Sequence, residues 1–325
     1  MGTTGVSQGN LTLNFNAAGA AATDILSNAS SGVVFAGGTL TINAQGATNV
    51  NRQSIATTAV TAGGNTLSFT TSAAFTGAGA LNVALGEITR APGTGLTITA
   101  GTSLTLGTAA GNVTTTTVNT NGILGGAITT SGTGITTTTW AVSAATQTTS
   151  VTWDGTTGSG TNRLNIAGLA DRAQVSFSGT APGGLVTGRA YYVVGATATD
   201  FQVALTPGGT PVTLTDSGST AVVNRAGVIT GLAAASYLTT AAAGNTAANY
   251  LTTSNVDVTS SPTLGGPITI NSLRFSSTTA QTLTLTGVNV INSGGILVSS
   301  GVGNVATAIT GGTLQGATGA GPDHQ

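Results

Sequence analysis

The chain holds 325 residues, of which seven are basic and eight acidic, for a net charge of −1. So little charge offers no footprint for nucleic acid or an anionic membrane surface, while 39% apolar residues and a mean hydropathy of +0.32 set the chain apart from disordered ones. Fifty Gly without a three-residue period exclude collagen, and the lack of Cys excludes disulfide staples and Cys/His zinc sites.

All seven bases are Arg and only Glu87 is a glutamate, so strong helix formers are scarce while Thr, Val, Ile and Gly abound. That bias favours strands and turns. No run reaches 18 uninterrupted apolar residues, so no membrane-spanning helix is expected. The start, Met1-Gly2-Thr3-Thr4, lacks a basic region followed by an apolar stretch, so no signal peptide is expected, a pattern that a mature or excised segment also gives. The lack of Lys also removes the amine that a Lys–Asn isopeptide crosslink needs.

From the N-terminus, short runs alternate apolar residues with Thr or Asn: Leu11–Phe15, Thr39–Ile42, Thr66–Phe69, Leu81–Val83, Leu96–Ile98 and Leu104–Leu106. Period-two alternation predicts half-buried strands. The first three runs start 28 and 27 residues apart and later ones at about half that. The spacing predicts coils of roughly 20–30 residues with two or three strands each, stacked into a solenoid. Inward Leu, Ile and Val would form one continuous core, outward Thr and Asn would form hydrogen-bonded ladders, and Gly would take the corners.

Residues 150–225 differ. They carry eight of the fifteen charges and five of the thirteen aromatics. Pro182-Gly183-Gly184 and Pro207-Gly208-Gly209 separate strands expected over Gln174–Phe177, Ala190–Val194 and Phe201–Leu205. After residue 226 the alternating runs return at 267–270, 281–285, 288–290 and 295–298. The expected architecture is all-β: a parallel β-solenoid (β-helix) over 1–149 and 226–325, with a small antiparallel β module inserted at 150–225. Some ten coils about 4.8 Å apart would build a rod of about 50 Å.

Catalysis by a β-helix would need paired carboxylates. The candidates are Asp154 with Asp171 and Asp200 with Asp216, but Asp is also a common turn cap. The only His, His324, lies in the tail, which argues against His-based acid–base or Ser–His chemistry, and Asp171 with Arg172 reads as an exposed turn pair. No enzyme activity and no cofactor are expected. Calcium (Ca2+) stays open through Asp and backbone carbonyls, although the nonapeptide repeat of calcium-binding β-rolls is lacking. Trp153, Tyr191 and Tyr192 are the candidate ligand-binding residues, as an aromatic platform for carbohydrate; alternation puts the two Tyr on opposite faces, so at least one is core. With one His and few acids, stability should vary little between about pH 5 and 9.

The segments 85–90, 114–126 and 139–141, with 270–275 through 309–314, resemble the Gly- and Thr-rich β-strand repeats of very large bacterial surface proteins, including autotransporter-type passengers. The marks Leu169-Ala170-Asp171, Val175-Ser176-Phe177, Gly188-Arg189-Ala190-Tyr191-Tyr192 and Phe201-Gln202-Val203 make 150–225 similar to a small β module of phage tail and bacterial surface proteins. That module usually has Gly-Asp before its Val-x-Phe strand, where this chain has Asp171-Arg172-Ala173. The resemblance implies an extracellular, bacterial cell-surface location and a structural or adhesive role, with no catalytic residues to carry over. No membrane barrel follows before Gln325, which suggests a released fragment or a self-standing subunit. Expected roles are a subunit of an extracellular fibre, sheath or biofilm matrix that self-associates head to tail, or an adhesin passenger binding a glycan or host surface. A polysaccharide-degrading β-helix is the third alternative. The head-to-tail expectation rests on neither end showing a charged or helical cap.

Overall fold

A computed structural model describes residues 2–26, 32–149, 151–153, 162–216, 218 and 220–316. The chain builds its first solenoid coil by coil. It lays down β1 (Thr3–Val6) and β2 (Asn10–Asn14), then β3 (Gly32–Ala36), β4 (Thr39–Ala44) and β5 (Val50–Ser54). The next coils contribute β6 (Thr57–Ala62), β7 (Gly64–Thr71) and β8 (Ala80–Ala84), then β9 (Glu87–Arg90), β10 (Gly95–Ala100) and β11 (Gly111–Thr115). A further strand, β12 (Ile128–Gly132), follows. Each full coil thus gives one strand to each of three parallel faces: β1-β3-β6-β9, β2-β4-β7-β10-β12 and β5-β8-β11. The half-length spacings in the sequence arise because Leu81–Val83 belongs to a different face from its neighbours. Leu104–Leu106 forms no strand, though Leu104 and Leu106 are both buried.

Like residues stack in register. Leu11, Leu40, Leu67 and Ile98 are successive partners on one face, as are Leu13, Ile42, Phe69 and Ala100. Their outward neighbours form the expected ladders: Asn43 Nδ2 donates to Asn14 Oδ1 at 2.9 Å, and Thr70 Oγ1 donates to Asn43 Oδ1 at 3.1 Å.

After β12 the pattern turns antiparallel. β13 (Ile135–Ser143) folds back on β12, and β14 (Thr146–Thr149) leads into the module. The module continues with β15 (Gln174–Ser178), β16 (Tyr191–Val194), β17 (Gln202–Ala204) and β18 (Val222–Arg225), in the order β14-β18-β15-β16-β17, all antiparallel. The chain then returns as β19 (Gly227–Gly231), which pairs antiparallel with both β13 and β11. The module is therefore the long loop of a β13–β19 hairpin, and its sheet begins at Thr146, slightly before the expected boundary at 150. Gly227 is required at the neck: a Cβ there would lie 1.9 Å from Ala145 N. The hairpin also covers the last coil of the first solenoid. Its two strands carry no charge and no helix, so it closes that coil by strand pairing alone.

A second parallel stack follows: β20 (Leu238–Thr239), β21 (Asn255–Val258), β22 (Thr269–Phe275), β23 (Gln281–Val298) and β24 (Thr307–Gly316), paired in that order. The short helix α1 (Thr240–Ala243) follows β20. The three expected runs between 281 and 298 merge into β23, with Gly287 and Gly295 at positive φ within it. The second stack is a separate sheet with its own core, including Val256, Leu273 and Phe275. The molecule is thus a solenoid in two packed stacks, not one rod with one continuous core.

The contact between the stacks is polar and buried. Asp257 and Arg274 are register partners on β21 and β22, and their side chains pair at 2.5 Å. Arg274 also donates to Thr139 Oγ1 of the first stack at 3.2 Å and lies 3.5 Å over the Tyr237 ring. Trp140, Ile123 and Tyr237 pack beside it. Asn121 of the first stack donates to Asn271 at 3.2 Å, and Asn255 donates to the Asn121 carbonyl at 3.1 Å.

Candidate functional site

The structure does not bring Trp153, Tyr191 and Tyr192 together as an exposed platform. Trp153 is half-buried against the module core, and Tyr191 lies within that core, edge-on to Phe177 at 5.9 Å. The Tyr191 hydroxyl accepts a hydrogen bond from Val186 N at 2.7 Å. Tyr192, on the opposite face of β16 as alternation requires, is also buried; it faces the first solenoid and lines a cleft there.

The candidate acids sit in turns. Asp171 Oδ1 accepts from Ala196 N at 2.7 Å, and Asp216 Oδ1 accepts from Gly183 N and Gly218 N, each at 2.8 Å. Asp200 accepts from Thr197 Oγ1 at 2.7 Å and pairs with Arg163. Asp154 and His324 lie outside the described residues. Asp171 and Arg172, expected as a turn pair, go separate ways, because Asp171 caps the Ala196 turn while Arg172 lines the cleft. Among the described residues no three His, Cys, Asp or Glu side chains group to hold a metal ion, and no helix is long and apolar enough to cross a membrane.

The cleft itself is the most developed candidate site. Its floor comes from the β5-β8-β11 face, with Val50, Arg52, Asn82 and Asn112. Its other wall comes from the module, with Arg172, Gln174 and Tyr192. It encloses about 480 Å³, within the size range of small-ligand sites. The module is held against the solenoid beside it: Ala190 N donates to the Ala56 carbonyl at 3.0 Å, and the Glu87 carboxylate abuts Gly188. Gly188 has φ +76°, and a Cβ there would meet Glu87 Oε2 at 2.5 Å. Only Tyr192 of this set was singled out by sequence as a ligand candidate. Gln174 stands in an ordinary expected strand run and Arg52 in β5, where no alternation shows, and nothing local marks either as a ligand residue, because the cleft exists only once the module folds back onto the solenoid.

Titration follows burial and turn capping. Burial raises the Glu87 carboxyl above the ordinary glutamate value. Hydrogen bonds from Thr197 and Arg163 lower Asp200, and those from the Gly183 and Gly218 amides lower Asp216. Burial raises the Tyr191, Tyr237 and Tyr250 hydroxyls. A raised carboxyl stabilises the fold below its unfolded pKa and loses that contribution as pH rises through the folded value; a lowered one stabilises above its unfolded pKa and loses it in acid. Stability should therefore fall below about pH 4 through Asp200 and Asp216, and above about pH 10 through the tyrosines. Glu87 adds a small decline that begins near pH 4.3 and runs upward, removable by Glu87→Gln. Melting temperatures across pH check this, and a steep step between about pH 6 and 9 would contradict it.

Set against known proteins, the chain matches no family profile, no curated protein and no solved structure.

Proposed function

We propose that the chain is a structural component of a bacterial extracellular surface assembly, self-associating end to end, and not an enzyme. The observation that carries this reading is a pair of unlike open edges. Among the described residues β24 pairs only with β23, while β1 and β2 pair only with β3 and β4. Natural edge strands are usually blunted by charge or Pro, yet these three strands contain neither. The β24 rung also leaves Ile309 and Leu314 only half-buried over the core below. Joining two unlike edges is a heterologous contact, which propagates unless the rotation closes a ring. The charge-poor, Thr-rich composition and the resemblance to bacterial surface repeats support the same location and role.

Ile309 is the register partner of Leu283 and continues that core stack to the open end. In Ile309→Lys the amine reaches water in a free chain but would be buried without a partner in a stacked one. Such burial costs several kcal/mol, so association should weaken by a factor of about 100 or more. Sedimentation velocity over a concentration series should show wild type growing and the variant remaining single. Equal growth of both would overturn this contact.

A second reading, adhesion through the module, is favoured by the cleft, because it forms where the module meets its scaffold.

A further inference from the structure

We infer that the cleft between module and solenoid binds an acidic saccharide, with a uronate carboxylate on the arginine side and sugar hydroxyls on the amide side. Two unlike groups are left unsatisfied there. Among the described residues, Arg52 Nε is a buried donor without an acceptor, and Gln174 Oε1 is a buried acceptor without a donor. Gln174 is only 6% exposed, and its amide nitrogen is already directed to the Tyr192 hydroxyl at 3.4 Å. An orphaned buried polar atom costs free energy until it is paired. A simple anion would satisfy the guanidinium alone. A neutral polyol would satisfy the glutamine alone. A sugar acid carries both complements on one small body.

Charge supports the same class. The described ion pairs are Arg163–Asp200 and Arg274–Asp257, so among the described residues neither Arg52 nor Arg172 has a carboxylate partner. Arg172 adopts φ +71°, a left-handed conformation disfavoured for a residue with a Cβ. Asn112 donates to Asn82 Oδ1 at 3.3 Å, which leaves the Asn82 amide hydrogens on the floor for further acceptors. Val50, Ala173 and Pro207 provide apolar wall against which the C–H face of a sugar ring can rest. Guanidinium groups are suited to bidentate carboxylate recognition.

This deepens the adhesive reading and is independent of end-to-end assembly. The test is calorimetric titration of the full chain, at a concentration where it sediments as a single species, with tri-galacturonate. Neutral galactotriose and sodium sulfate serve as the comparison arms. The uronate should bind, with the neutral sugar and sulfate each weaker by a factor of about 30 or more. Arg172→Gln, at an exposed position, should weaken uronate binding about tenfold with an unchanged melting temperature, and Gln174→Leu should weaken it while leaving sulfate unaffected. Arg163→Gln makes the same charge change away from the cleft and should leave binding intact. Failure of uronate to bind at millimolar concentration overturns the assignment, as does sulfate binding equally well or Arg163→Gln weakening binding as much as Arg172→Gln. If the chain still coats a mixed-polysaccharide surface yet takes up no uronate, the ligand falls while adhesion stands.

Discussion

Arg274→Met should cost about 3–5 kcal/mol of stability, because it leaves the Asp257 carboxylate buried without its cation. Asp257 is 4% and Arg274 6% exposed, so water cannot replace the lost partner. The same change removes the hydrogen bond to Thr139 and the stacking on Tyr237, both of which tie the second stack to the first. The pair is nevertheless incompletely satisfied, since Asp257 Oδ1 and Arg274 Nε have no partner among the described residues. Replacing both ends with apolar residues of similar volume is often neutral or stabilising, so Asp257→Leu/Arg274→Met should recover most of the loss. Denaturant unfolding of the wild type, the single variant and the double variant checks this. A single variant within about 1 kcal/mol of wild type, or a double variant worse than the single, would show that the pair does not carry this contact.

Phe69→Ala should be comparably damaging, at about 3–5 kcal/mol. Phe69 is fully buried and lies in register between Ile42 and Ala100, so its ring fills space that the small Ala100 leaves open. Backbone ladders on both sides hold the rungs about 4.8 Å apart. Neighbouring coils therefore cannot close on the cavity, which places the cost toward the upper end of the range. Phe69→Leu keeps much of the volume and should cost about 1.5 kcal/mol or less. Val298→Ala, at a position 55% exposed, should stay within about 0.5 kcal/mol. Equal losses for Phe69→Leu and Phe69→Ala would mean that volume is not what the stack requires.

The contrast between these residues shows how far sequence reading reaches. Phe69 was legible because Thr66–Phe69 alternates and recurs 27 residues after Thr39–Ile42, and stacked parallel rungs place such residues directly over one another. β5 was not legible, because its inward positions are Asn51 and Gln53, both fully buried and polar. Asn51 accepts from Gln45 N and Gln53 accepts from Leu26 N, so side-chain amides stand in for apolar packing and erase the alternation. Asp257 and Arg274 lie 17 residues apart and face each other only through the rung register of the second stack, a period shorter than that of the first. The module's composition marked it as an insertion, but not its neck: Gly227 and the antiparallel return of β19 make sense only against β11 and β13. For the same reason the cleft residues were scattered in sequence. Arg52 and Gln174 are 122 positions apart, and neither belongs to a local motif.

The capped end and the open edges together set the expected geometry of assembly. The β13–β19 hairpin covers the last coil of the first stack, so growth should proceed through β24 and through β1 with β2. Negative-stain images of the purified chain over a concentration series test this most directly. End-to-end filaments that lengthen with concentration, and that shorten to single particles in Ile309→Lys, are the predicted result. Uniform single particles at every wild-type concentration would contradict it.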